Sequence, residues 1–175
     1  MSLSHPTDDL RVAEILPLIQ PALLMHEYRL DEADSAFVED SRRAAEAILN
    51  LQDDRLLVVT GPCSIHDTKS AIEYAHHIAA AREKYGADLE IVMRVYFEKP
   101  RTTVGWKGFI NDPHLDGSFD INNGLRGARG LLIELAQMGV PFYAGYAAAK
   151  GGLARFGEAM RRELKGEGVH VMTVY

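Results

Sequence analysis

At 175 residues, with 47% hydrophobic and 25% charged side chains, the chain is long enough to bury one globular core and lacks the composition of a disordered segment. A net charge of −6 without any run of basic residues argues against nucleic acid or an anionic membrane as partner, because both are bound by clustered Lys and Arg that displace counterions. No apolar stretch has the length of a membrane-spanning helix, and Met1 to Leu10 carries Asp8 and Asp9 where a secretory leader needs positive charge, so a cytoplasmic location is expected.

Residues 8–50 mix helical periodicity with breaks at Pro17 and Pro21, and Ser41 to Leu51 gathers Ala44, Ala45, Ala47, Ile48 and Leu49 on one apolar face. A helical extension over residues 1–52 is predicted. Leu56-Leu57-Val58-Val59-Thr60, stopped by Gly61-Pro62, has the composition of a strand buried on both faces. A helix is predicted over about Ser70 to Tyr85, ended by Gly86. Leu89 to Phe97 forms a second β-rich run that stops at Lys99-Pro100, and a turn-rich segment to Asn123 leads into a helix near Gly124 to Met138. Strand, helix, strand, long loop, helix is the order of parallel α/β units, predicted over residues 53–140. In such sheets ligands gather beyond the carboxyl ends of the strands, which is where Cys63 and the segment Lys99 to Thr103 fall.

Two groups of residues carry chemistry in that region. Cys63 is the only cysteine, so it cannot form an internal disulfide; it is either a buried thiol or a reactive or metal-binding one, with His66 as the nearest further donor. Arg94, Lys99, Arg101 and Lys107 bring four cations close together with the hydroxyls of Thr102 and Thr103, a set suited to phosphate or carboxylate oxygens; a solvated loop is the alternative. Pro100 fixes the direction of the loop between Lys99 and Arg101.

The motifs Gly61-Pro62-Cys63-Ser64-Ile65-His66-Asp67, Arg94-Val95-Tyr96-Phe97-Glu98-Lys99-Pro100-Arg101-Thr102-Thr103 and Asn111-Asp112-Pro113-His114 resemble the metal-dependent type I 3-deoxy-D-arabino-heptulosonate 7-phosphate (DAHP) synthases. The likeness runs from Asp8 to about Leu132. It implies a (β/α)8 barrel that condenses phosphoenolpyruvate with erythrose 4-phosphate in the shikimate pathway, with a divalent metal polarising the aldehyde. Carried onto this chain, the resemblance implies Cys63 as a metal ligand, Arg94 and Lys99 as phosphoenolpyruvate contacts, Arg101 and Thr102 as the cradle of the aldose phosphate, and Asp8 and Asp9 as part of a feedback site for an aromatic amino acid. The family's other metal ligands come from later strands. A closed barrel takes roughly 250 residues, so an incomplete (β/α)8 fragment is expected here, with open strand edges that predispose it to self-association or aggregation.

From residue 141 the chain resembles a second family. Tyr146 and Lys150 lie one helical turn apart, and with Gly151-Gly152, the run Glu158 to Leu164 and the run Gly168 to Tyr175 they look like the active-site helix and following strand of short-chain dehydrogenases/reductases. That likeness implies a Rossmann-type helix and strand over 141–175, Tyr146 as general acid or base, Lys150 as its partner, and NAD(P) as cofactor. The expected serine is missing, since no Ser or Thr occurs between Ser118 and Thr173, and Thr60-Gly61 is followed by Pro62 and Cys63 rather than by a glycine-rich dinucleotide turn. Gly124, Gly127 and Gly130 have a suggestive spacing but fall in a predicted helix. Charge supports a division as well: residues 1–144 hold 14 basic and 22 acidic groups, residues 145–175 hold 5 and 3. Three readings follow: a condensing transferase, a nicotinamide-dependent reductase, and a catalytically incompetent chimera or fragment that keeps at most weak anion binding. The third is expected as present activity, with transferase ancestry for the larger part.

Overall fold

A computed structural model describes residues 15–99 and 105–144. Three parallel strands in the order β1 (Leu56–Thr60), β2 (Leu89–Arg94), β3 (Phe142–Tyr143) form the sheet, joined by α3 (Thr68–Tyr85) and α4 (Ile121–Gln137) and preceded by α1 (Pro21–Glu27) and α2 (Glu32–Leu49). β1 runs in register with β2 from Leu56 opposite Leu89 to Thr60 opposite Met93, and β3 sets Phe142 and Tyr143 opposite Met93 and Arg94.

Three of the helices begin where an aspartate satisfies free backbone N–H groups. Asp31 accepts from Asp34 N at 2.7 Å, Asp67 from Lys69 N and Ser70 N at 3.1 and 3.0 Å, and Asp120 from Asn123 N at 3.2 Å. Pro21 does not interrupt a helix, as expected of it, but opens one: at the first turn its missing N–H has no intrahelical acceptor to lose. α3 turns Ala71, Ala75 and Ile78 inward at helical spacing, and α4 turns in Gly124, Ala128, Leu131 and Leu135. With Ile65, Ile91, Met93, Val95, Phe97, Phe109 and Val140 they make one core around the middle strand.

The strands differ in burial. β2 is central, with Glu90 through Met93 all buried. β1 was expected to be buried on both faces; it lies instead at the sheet edge, with Leu56 64% and Val59 46% exposed, because among the described residues only β2 pairs with it. The segment after Gly139, expected to open a Rossmann-type piece, supplies β3: Met93 N donates to Pro141 O at 2.8 Å and Val95 N to Tyr143 O at 2.9 Å. Parallel α/β order therefore continues without a break to Tyr143, and the remainder of the expected Rossmann-type helix and strand lies outside the described residues.

The glycines of α4 have a packing explanation. A Cβ at Gly124 would stand 2.1 Å from the backbone oxygen of Ile110, and one at Gly127 2.9 Å from the Phe109 ring, so the helix can lie against the turn-rich segment only where side chains are absent. The opposite flank of α4 holds the N-terminal helices: Arg126 pairs with Glu27 at 2.7 Å, Arg129 Nε donates to Tyr28 O at 3.3 Å, and Asn122 joins Ile19 N and Pro17 O at 2.8 and 3.0 Å. Among the described residues no helix is long and apolar enough to cross a membrane.

Opposite the carboxyl ends of the strands, Glu90, 4% exposed, joins Arg55 Nη1 at 2.8 Å and Arg82 Nη1 at 2.6 Å, and Arg82 also donates to Ile91 O at 2.7 Å. Arg55 further grips Asp53 at 2.8 Å. The Arg55 hydrogen bonds hold the Asp53 carboxyl below its ordinary 3.8, and hydrogen bonds from the Ser70 hydroxyl and then the Ser70 and Lys69 amides do the same for Asp67. A carboxyl whose pKa is depressed on folding contributes stability above its unfolded pKa and loses it as pH falls through the folded value. The urea midpoint is therefore expected to drop from about pH 5 toward pH 2, and Asp53→Asn should lie below the unaltered chain at about pH 6 and converge with it at the acid end.

Candidate functional site

β1 and β2 end side by side, and the two segments that leave them are tied together by backbone and side chain. Gly61 permits the approach: a Cβ there would sit 2.4 Å from Arg94 O and 3.0 Å from Arg94 Cβ. Beyond it, Ile65 N donates to Tyr96 O at 2.6 Å, and the buried Ser64 hydroxyl faces Tyr96 O and Glu98 O, each at 3.3 Å. Beyond Val95, the last residue bonded to the β3 segment, the chain exchanges sheet pairing for these loop bonds and for Phe109 N, which donates to Phe97 O at 2.6 Å. The strand predicted through Phe97 therefore ends at Arg94.

Arg94 is half-buried at this junction, beside the exposed Cys63. Its Nη1 donates to Pro62 O at 2.6 Å and to Cys63 O at 2.9 Å, and its guanidinium carbon lies 5.0 Å from the centre of the Tyr96 ring. Both Nη1 hydrogens are thus engaged in holding the Cys63 backbone. The Nε–H and Nη2–H edge has no partner among the described residues, and that edge is the fork that matches two oxygens of a phosphate or carboxylate. Lys99 leaves the same segment; its N–H donates to Lys107 O at 2.9 Å beside an antiparallel bridge between Glu98 and Gly108. Trp106 Nε1 donates to Asp112 O at 2.8 Å, and the buried Asp112 carboxylate accepts from Gly117 N at 3.2 Å, which closes the turn-rich segment.

Of the residues expected to act, the structure thus joins Cys63, through its backbone, to Arg94, and carries Lys99 on the adjoining segment. Asp8, Asp9, Arg101, Thr102, Tyr146 and Lys150 lie outside the described residues. Cys63 is exposed and free, a reachable thiol rather than a buried one. Among the described residues no three His, Cys, Asp or Glu side chains stand close enough together to hold a metal. Cys63 offers one donor, and a metal bound to it would take its other ligands from elsewhere. Asp67, inside the Gly61 to Asp67 motif, is a helix cap, occupied by Lys69 N, Ser70 N and the Ser70 hydroxyl. Gly61 and Ser64 stand in the motif that carries the family resemblance, and Gly61 as the stop of the first strand, but neither has a role at the site legible from sequence, because what they touch lies more than thirty residues away.

The chain is similar to known proteins in sequence and in fold. The model of a family described as the DAHP synthetase I family matches residues 33–163, a span that includes the positions of Tyr146 and Lys150. The chain is 54% identical over 139 residues to the Phe-sensitive phospho-2-dehydro-3-deoxyheptonate aldolase of Escherichia coli (strain K12), covering 79% of this chain and 40% of that protein. It is 55% identical over 135 residues to the Trp-sensitive phospho-2-dehydro-3-deoxyheptonate aldolase of Salmonella typhi, covering 77% and 39%. The solved structure of phospho-2-dehydro-3-deoxyheptonate aldolase from Francisella tularensis SCHU S4 superposes with a TM-score of 0.74 at 47% identity, over 78% of this chain and 40% of that one. The chain spans about 40% of the length of these relatives.

Proposed function

The chain belongs to the DAHP synthetase I family, and from that membership we propose that its strand-end junction is the phosphate-binding part of a condensing-enzyme site, taking phosphoenolpyruvate on Arg94 and Lys99 and an aldose phosphate on Arg101 and Thr102. The Nε–Nη2 edge of Arg94, which no described residue occupies, carries this reading, since its other nitrogen is committed to Pro62 O and Cys63 O and so presents the fork in a fixed direction. A guanidinium oriented in this way loses little side-chain entropy when an anion arrives. The three parallel strands supply the first part of a (β/α)8 barrel, and Cys63 supplies one ligand for a divalent metal, whose chemistry would be to polarise the carbonyl of the acceptor aldehyde. What the chain's own residues do is bind and orient: Arg94 and Lys99 hold the phosphate and carboxylate oxygens.

Asp8 and Asp9 are proposed to shape a site for an aromatic amino acid. The relatives' names include both a Phe-sensitive and a Trp-sensitive protein at 54% and 55% identity, so similarity alone does not choose between them. The reductase alternative through Tyr146, Lys150 and NAD(P) has no feature of the described residues behind it, and the family match spans both positions.

For the 175-residue chain the expected activity is binding without turnover. Calorimetry with phosphoenolpyruvate should show a millimolar dissociation constant that Arg94→Ala weakens roughly tenfold, the loss of a charge-assisted pair. Phosphate release from phosphoenolpyruvate with erythrose 4-phosphate and a divalent metal, and NAD(P)H fluorescence change, should both stay at background. Equal affinity of Arg94→Ala and the unaltered chain would refute the anion site.

A further inference from the structure

The segment that carries Cys63 and the segment that carries Arg94 and Lys99 meet through few polar ties. Arg94 provides one pair, from the solvent side. On the inner side the ties are the Ile65 amide and the Ser64 hydroxyl, which belongs to a residue 8% exposed and stands 3.3 Å from both Tyr96 O and Glu98 O. Those two carbonyls bracket Phe97, whose own oxygen receives Phe109 N, so three successive carbonyls of the segment are occupied from outside it. Without the hydroxyl, Glu98 O, immediately before Lys99, would keep no side-chain donor among the described residues.

We propose that Ser64 is a positioning residue: by bridging the Tyr96 and Glu98 carbonyls it makes the Cys63 loop and the Arg94–Lys99 segment one unit, so that an anion held at Arg94 is felt at Cys63. Ser64 touches no reacting group; it acts through the backbone on either side of it. The proposal rests on the anion-binding reading above and extends it to a residue that reading does not use. A serine suits the position because its single hydroxyl is short enough to stay between two carbonyls and small enough to pack beside Ile65, 2% exposed.

Cys63 is the sole cysteine, so its labelling by 5,5′-dithiobis(2-nitrobenzoate) in the full chain reports one position. Saturating inorganic phosphate is expected to slow that labelling roughly threefold or more in the unaltered chain, a coupling of the usual size between sites. In Ser64→Ala phosphate should still shift the Arg94 amide, yet labelling should become indifferent to it; Ser64→Thr, which keeps the hydroxyl, should restore the protection. Undiminished protection in Ser64→Ala overturns the proposal. If phosphate shifts no amide in the unaltered chain, the anion-binding reading fails, and amide exchange decides the role of Ser64 alone. The Ile65 amide should then exchange roughly fivefold faster in Ser64→Ala, the size of one lost hydrogen bond; no change rejects the role. Should Ser64→Ala lose its cooperative melt, the unaltered chain still decides the matter: a Ser64 hydroxyl proton that exchanges slowly enough to be observed upholds the bridge, and one exchanging at solvent rates refutes it.

Discussion

Glu90→Ala is expected to lower the free energy of unfolding by about 3–5 kcal/mol, the loss seen when one member of a buried ion pair is removed. Glu90 is 4% exposed and is the shared acceptor of Arg55 at 2.8 Å and Arg82 at 2.6 Å. Removing it leaves two guanidinium groups facing each other beside the middle strand, with Arg55 still held by Asp53 and Arg82 by the carbonyl of Ile91. Glu90→Gln keeps an acceptor without the charge and should fall between. Because total stabilities of single domains are about 5–15 kcal/mol, the alanine variant should be partly unfolded in mild urea. A shift in urea midpoint equivalent to less than about 1 kcal/mol, the range of exposed pairs, would contradict the burial described here. The cluster lies at the amino-terminal ends of the strands, so the folded fraction should still bind phosphate with unaltered affinity.

Gly61→Ala should be the most damaging single methyl at the strand-end junction. Its Cβ would fall 2.4 Å from the carbonyl oxygen of Arg94, a backbone atom that no side-chain rotation moves aside. Relief requires the end of β1 to draw away from β2, at about 1–3 kcal/mol for an overpacked contact. The same displacement pulls Pro62 O and Cys63 O from Arg94 Nη1, bonds of 2.6 and 2.9 Å. Stability and phosphate affinity should therefore fall together in this variant, whereas Glu90→Ala lowers stability alone. Thermal melts paired with phosphate titration distinguish the two. Gly61→Ala with unaltered affinity would show that the Arg94 fork does not depend on the Cys63 loop.

Much of the local order is legible in the sequence. Leu56 to Thr60 coincides with β1 residue for residue, since an aliphatic run between Arg55 and Gly61-Pro62 leaves the chain few other conformations. The helix expected from Ser70 starts two residues earlier, at Thr68, because Asp67 caps it. β3 is not legible: two residues show no periodicity, and Phe142 and Tyr143 become a strand only through bonds to β2, about fifty residues back. That short strand also explains why the change of sequence character near residue 141 is not a structural boundary at that point.

The site is legible in its residue types and not in its connections. A guanidinium suited to phosphate can be recognised in Arg94, but its division of labour between two loop carbonyls and an open edge depends on Gly61 closing the gap. Glu90 would pass for one of many acidic side chains until the fold brings Arg55, 35 positions away, and Arg82, eight away, to its two oxygens. The glycines of α4, set aside as a dinucleotide turn because they fall in a predicted helix, do lie in one, and Gly124 and Gly127 allow its close packing on Ile110 and Phe109.

Whether the two strand ends act as one anion receptor can be read from a phosphate titration of the isotopically labelled, unaltered chain. The amides of Cys63, Ser64 and Ile65 should shift together with those of Arg94 to Lys99, all fitting one millimolar dissociation constant. Shifts confined to one of the two segments, separate constants for each, or no movement at tens of millimolar phosphate would show that the junction holds the fold together without serving as a binding site.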